Sequence, residues 1–121
     1  MTEHTIHENE VEAKELPGRL HKMIIGPDNF GNCKNICFGV AYFPAKRHAP
    51  KHIHDKQEEI IYILAGSGEI YFNGIPEKVS PGTCIYIPTG VEHSINNTDH
   101  EVIKLIYVFS PPVKQGSYDR K

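Results

Sequence analysis

The 121-residue sequence predicts an all-β, single-domain fold. Three features point there. Ten Gly and nine Pro are spread along the chain instead of gathering in a linker. Between them lie short runs that alternate in polarity, the pattern of an antiparallel sandwich or barrel. No window of about 12 residues carries a 3.6-residue apolar period, so helix is expected to be scarce. The length suits one domain, because two would have about 60 residues each.

In chain order, strands are expected at residues 20–25, 36–43, 51–54, 58–65, 68–73, 83–87, 92–97 and 102–109. Asn73-Gly74 closes the run 68–73 as a hairpin turn, since both residues tolerate positive φ. Ser80-Pro81-Gly82-Thr83 fits a type II turn, with Pro pre-set at the second position and Gly supplying positive φ at the third. Two runs are apolar on both faces: Ile60 to Leu64, and Val102 to Phe109 interrupted only by Lys104. A strand with one wet face would alternate, so something must cover the outer side. The segment Leu20 to Ile25 folding back over it and a second copy of the chain are both expected to contribute. A homodimer is therefore expected.

The ends differ from the middle. Residues 1–15 hold five Glu and one Lys and read as a flexible acidic tail. Residues 114–121 read as a flexible C-terminal tail, which leaves 16–113 as the barrel domain. A hydrophobic content of 39% with 23% charged residues excludes disorder and collagen. A net charge of −2 and a pI near 6.4 provide no basic surface, so no nucleic-acid partner is expected. The longest apolar run, Ile60 to Ala65, falls far short of the ~20 residues that span a bilayer, so no membrane partner is expected. Met1-Thr2-Glu3-His4 is polar and acidic where a signal peptide would be basic and then apolar. Cys33, Cys37 and Cys84 cannot all pair within one chain. Reduced thiols in a cytoplasm are expected, acting as small buried hydrophobes.

The residues that carry chemistry are His52, His54, Glu58, Glu59 and His93. In a strand, positions i and i+2 share a face, so His52 and His54 present two imidazoles together. Asp55-Lys56-Gln57 is long enough to turn the chain and bring a Glu from the next strand beside them. His93 follows Pro88-Thr89-Gly90, a turn that aims a third imidazole back from a later hairpin. Three nitrogens and one oxygen suit Fe, Mn, Ni, Co or Zn, and do not suit Ca or Mg, which take all-oxygen cages. An octahedral ion held this way keeps two positions for water or substrate, as a catalytic metal does.

Two motifs then resemble those of the cupin superfamily. The second, Gly-x5-Pro-x-Gly-x2-His-x3-Asn, is matched in full by Gly82, Pro88, Gly90, His93 and Asn97. The first, Gly-x5-His-x-His-x(3,4)-Glu-x6-Gly, is met by His52, His54, Glu59 and Gly66, with Lys46 in place of its leading Gly. That replacement predicts a reshaped turn with the ligands kept. The resemblance covers about residues 36–112. It implies a small antiparallel β-barrel, or jelly roll, in which His52, His54, Glu59 and His93 are the metal ligands. It selects Glu59 over Glu58, because the six-residue gap to Gly66 runs from Glu59. Parity agrees: Glu59, Ile61 and Ile63 would face the lumen, and Glu58, Ile60, Tyr62 and Leu64 would face outward. Asn97 is expected to hold its own turn.

Cupins include dioxygenases, decarboxylases, isomerases, lyases and binding proteins, so the resemblance implies a class only. The expected function is a metal-dependent enzyme that chelates a small oxygen-bearing metabolite, of dioxygenase, isomerase or decarboxylase type. The alternative is a non-catalytic small-molecule-binding or sensory cupin. No general acid or base is assigned; His48, Tyr42, Tyr71 and Tyr86 are the candidates considered, with Cys84 an outlying thiol. The position two after Glu59 is Ile61, which lacks the tyrosine base of some lyase relatives.

Overall fold

The computed structural model describes residues 1–115, so the expected C-terminal tail at 114–121 lies outside the described residues from 116 onward. The strands are β1 (Lys14–Leu16), β2 (Arg19–Gly26), β3 (Phe30–Gly31), β4 (Cys37–Phe43) and β5 (Glu58–Ala65), followed by β6 (Gly68–Phe72), β7 (Ile75–Val79), β8 (Cys84–Ile87), β9 (His93–Asn96) and β10 (Ile103–Ser110). The larger sheet runs β1-β2-β4-β10-β5-β8, with β3 beside β2, and the smaller runs β7-β6-β9. All but the β2–β3 pair are antiparallel. One core lies between the sheets, built from Ile61, Ile63 and Leu105 on one side and Ile70, Val79 and Ile95 on the other.

Burial along β5 alternates residue by residue, with Glu59, Ile61 and Ile63 inside and Glu58, Ile60, Tyr62 and Leu64 outside. The expected turns are present. Asn73 and Gly74 both take positive φ between the paired residues Phe72 and Ile75. The Thr83 amide donates to Ser80 O, with Gly82 at φ 93°. Lys46, standing where the motif has Gly, itself takes the left-handed conformation at φ 63°. Its Nζ donates to Thr98 O at 2.8 Å, which offsets part of that steric cost.

Four expectations need correction. Residues 51–54 form no strand; His52 makes a single antiparallel bridge to His93, because Pro50 has no amide to donate and the chain bends at Asp55-Lys56. Residues 75–79 are a strand, hidden in the sequence because Pro76, Glu77 and Lys78 are all exposed on an edge. Segment 20–25 does not fold back over the sheet; as β2 it extends the same sheet beyond β4, with Leu20 opposite Tyr42. Of the three free cysteines only Cys37 is buried, while Cys33 is partly buried and Cys84 is exposed.

The outer side is partly covered by the N-terminal stretch. A 3-10 turn at Glu8–Glu10 sits on the outward side chains of β4 and β10: Glu8 Oε1 meets Lys104 Nζ at 2.7 Å and its Oε2 accepts from the Tyr42 hydroxyl at 3.1 Å. Lys22 Nζ donates to Glu8 O at 3.0 Å. These contacts hold Glu8 below the usual carboxylate range, the Lys104 bond being the largest cause. The strip further along remains open. Ile60, Tyr62, Leu64 and Tyr86 are between 38% and 57% exposed.

Candidate metal centre

The second motif brings His93 to the first. His93 and His52 exchange both backbone hydrogen bonds at 3.0 Å, and the Gly90 amide donates to His54 O at 2.9 Å. The turn Pro88-Thr89-Gly90 is thereby stitched to the His-x-His segment. Glu59 comes from β5, in the opposite sheet, opposite Ile87 and Phe109. His52, His54, His93 and Glu59 are all buried. One ring nitrogen from each histidine lies within 4.8 Å of the others, a metal-binding arrangement. Ring centroids stand 4.3 Å apart for His52 and His93 and 5.1 Å for His54 and His93.

Tautomers follow from backbone contacts. His52 Nδ1 is 3.0 Å from Pro50 O, and His93 Nδ1 is 3.0 Å from Val91 O. A carbonyl oxygen only accepts, so each Nδ1 carries a proton and each ring turns its Nε2 to the centre. Glu59 Oε1 lies 3.3 Å from His54 Nε2 and 3.2 Å from His93 Nε2. Among the described residues neither Glu59 Oε1 nor His93 Nε2 has a hydrogen-bond partner. Three imidazole nitrogens converge beside a buried carboxylate oxygen, a set of donors whose chemistry fits a transition-metal ion.

Burial pushes the Glu59 carboxyl up, but the imidazoles of His54 and His93 beside it prevail and hold it below its ordinary value. Burial, with His93 adding, pushes His52 down to about 3, so that ring is neutral and free to ligate near pH 7.

The other sequence candidates stay away from the cup. His48, Tyr86 and Cys84 are exposed. The Tyr86 hydroxyl donates to Glu58, the Tyr71 hydroxyl to Glu69, and the Tyr42 hydroxyl to Glu8 on the outer face. Asn97 is fully buried and holds its turn, its amide nitrogen reaching Phe43 O, Pro44 O and Glu101 O while Oδ1 accepts from the Asp99 amide.

Three polar residues of the cup escaped sequence reasoning: Arg19, His21 and Tyr107. They share its wall with Ala41, Phe43, Ile61, Ile95 and Leu105. His21 stacks on Tyr107 with centroids 4.5 Å apart and planes 17° from parallel. Its Nδ1 lies 3.2 Å from the Tyr107 hydroxyl and 3.1 Å from the Gln115 amide nitrogen. Burial, reinforced by the Arg19 charge, pushes His21 down to about 3. Gly39, opposite Tyr107 on β4, makes this possible, because a Cβ there would collide with the Tyr107 hydroxyl. The signal available in the sequence was the i, i+2 spacing of Arg19, His21 and Met23, which β2 turns inward together.

A two-sheet barrel with a buried histidine-rich cup is the class of protein that fold and site define. The chain belongs to the cupin family: the cupin-domain model matches residues 39–109. It is 29% identical over 113 residues to auxin-binding protein 1 of Arabidopsis thaliana, covering 85% of this chain and 56% of that one. The chain spans about half the length of the curated relatives it matches. A crystal structure of a predicted oxalate decarboxylase from Thermotoga maritima superposes with a TM-score of 0.79 at 21% identity, over 89% of this chain and 99% of that one. The polyketide cyclase RemF from Streptomyces resistomycificus gives 0.76 at 25% identity, over 96% and 87%.

Proposed function

We propose that this cupin is a metal-dependent enzyme acting on a small oxygen-bearing metabolite, of dioxygenase, isomerase or decarboxylase type. In this reading His52, His54, Glu59 and His93 hold one divalent transition-metal ion per chain, either Fe, Mn, Ni, Co or Zn. The observation that carries it is the convergence of three buried histidine nitrogens within 4.8 Å of one another, with Glu59 Oε1 3.2 Å from one of them. When bound, such an ion supplies a Lewis acid with open positions for a chelating ligand. The chain does the rest. Pro50 O and Val91 O fix the rings of His52 and His93, so their lone pairs need no reorganisation on binding. The apolar wall of Phe43, Ile61 and Leu105 limits water and strengthens every charge interaction inside.

The test is elemental analysis of the full chain prepared without chelators. About one transition-metal ion per chain is expected, and His93→Ala should remove most of it. If no metal is found and added Fe, Mn, Ni or Zn leaves the melting temperature unmoved, the ligand set is wrong.

A second reading, a non-catalytic small-molecule-binding cupin, draws on the likeness to auxin-binding protein 1. Metal-loaded protein that binds small chelating acids but leaves them unchanged in product analysis would favour it. The exposed strip Ile60, Tyr62, Leu64 and Tyr86 supports a homodimer in either case. Three free cysteines support a reducing, cytoplasmic setting.

A further inference from the structure

The cavity lined by His21, His52, Glu59, His93 and Tyr107 has a volume of about 30 Å³. That is room for one or two waters, far below the roughly 300 Å³ at which small-molecule pockets begin. A larger ligand reaches the histidine cluster only if part of the enclosure moves. Strands β2, β4, β5, β9 and β10 carry most of the wall, and sheet ladders fix them. Residues 112–115 are different. They follow the last strand, lie in no ladder, and are tied through side chains.

The path of this strap leads to the cup. Gln57 Nε2 donates to Pro112 O at 3.4 Å, and Gln57 O accepts from Thr89 Oγ1 at 3.2 Å. The strap therefore starts beside the Pro88-Thr89-Gly90 turn that precedes His93. Val113 packs on the core, its carbonyl 4.0 Å from the buried thiol of Cys37 at the head of β4. Gln115 Nε2 then donates to His21 Nδ1 and to His21 O, each at 3.1 Å. His21 is part of the cavity wall, so at Gln115 the strap has reached the cup. Its other side is loosely packed. A cleft of about 280 Å³ separates residues 112–115 from Met23, Pro27, Asp28 and Asn29. Protein interiors are close-packed, so a segment bordered by an unfilled cleft has room to move.

We propose that residues 112–115 are a latch over the cup, and that release of Gln115 from His21 opens it to ligands. The latch rests on the reading above in taking the histidine cluster as the place an entering ligand reaches. It adds gated access to that site and holds whichever reaction runs there.

Cys37 reports the latch without any metal. It is fully buried, and burial pushes its thiol up, so it reacts slowly while Val113 covers it. The full chain carrying Cys33→Ser and Cys84→Ser keeps Cys37 as its one thiol. Two rates are measured on this parent: thiol reaction with a small aromatic disulfide, and Co(II) uptake by metal-free protein, followed by visible absorption. In urea below the unfolding transition the thiol rate should stay flat, because a local opening exposes little surface. Gln115→Ala removes the tie to His21 and should raise both rates roughly three- to tenfold, with the unfolding midpoint little moved. A thiol rate that climbs with urea from the start means that only global unfolding frees Cys37, which overturns the latch. So does a folded Gln115→Ala variant in which the thiol rate, or a cobalt uptake seen in the parent, is no faster. The urea series needs no variant at position 115, so it decides the matter should Gln115→Ala not fold. A parent that takes up no cobalt overturns the metal reading instead, and the thiol rates still decide the latch.

Discussion

Glu59 Oε1 lies 3.2 Å from His93 Nε2, each on a different sheet and both out of contact with water. The Val91 carbonyl engages the other ring nitrogen, Nδ1, and leaves Nε2 facing the carboxylate. The approach favours the charged form of Glu59 in the metal-free chain, and in the proposed reading it places two ligands side by side.

Replacing Glu59 with Gln separates those two effects. His54 and His93 favour the charged carboxylate over the neutral one, so the metal-free variant should be less stable than wild type at pH 7, by about 1–3 kcal/mol. Its metal affinity should fall ten- to a hundredfold. Calorimetric melting of metal-free protein and a competition titration with a chromophoric chelator check the two signs. A metal-free variant as stable as wild type would mean that the carboxylate gains nothing from the two imidazoles.

Acid should destabilise the metal-free protein before its carboxylates titrate. His21 and His52 sit near 3 in the fold against about 6.5 in the unfolded chain. The unfolded chain thus binds more protons between these limits, and stability falls as the pH drops from about 6.5 toward 3. The loss is of order several kcal/mol for the two rings together. Above pH 7 neither contributes a slope. Denaturant midpoints at pH 7, 6, 5 and 4 check this, and His21→Phe should flatten part of the curve.

The N-terminal stretch should matter modestly. Lys104 and Glu8 are a partly buried pair worth about 0.5–1 kcal/mol, and the turn also covers Tyr42. Deleting residues 1–13 should cost about 1–2 kcal/mol, more than a disordered tail would and less than the loss of a core strand. Chemical denaturation of the truncated chain measures it, and high salt should shrink the difference.

Sedimentation should show a dimer closed through the outer face of β5 and β8. Ile60 and Tyr86 face each other across those strands at 54% and 57% exposure. Ile60→Glu places a charge in the middle of the strip and should give monomers with the melting temperature of the fold little changed. A wild-type monomer would show that the strip is tolerated in water.

Much of this protein is legible one residue at a time. Period-two burial along β5 separates Glu59 from Glu58, and the motif spacings mark His52, His54 and His93 without any geometry. The turns at Asn73-Gly74 and at Ser80 to Thr83 also follow from local backbone preference. What escapes is of another kind. Strand β7 carries Pro, Glu and Lys because it is a wet edge, and an edge has no burial pattern to read. Segment 51–54 lacks a ladder because pairing depends on what lies alongside, and it meets His93 in a single bridge and Gly90 in a single hydrogen bond.

The amino-acid order alone determined the all-β class, the turn positions and the residue types of the candidate site, since each depends on neighbours a few places away. Only the folded chain decided that Arg19, His21 and Tyr107 share a cavity with the histidine cluster, and that Glu8 reaches Lys104 across ninety-six positions. Such meetings arise from strand order and sheet curl. Those are properties of many weak pairings summed over the whole chain, and no local run of residues records them.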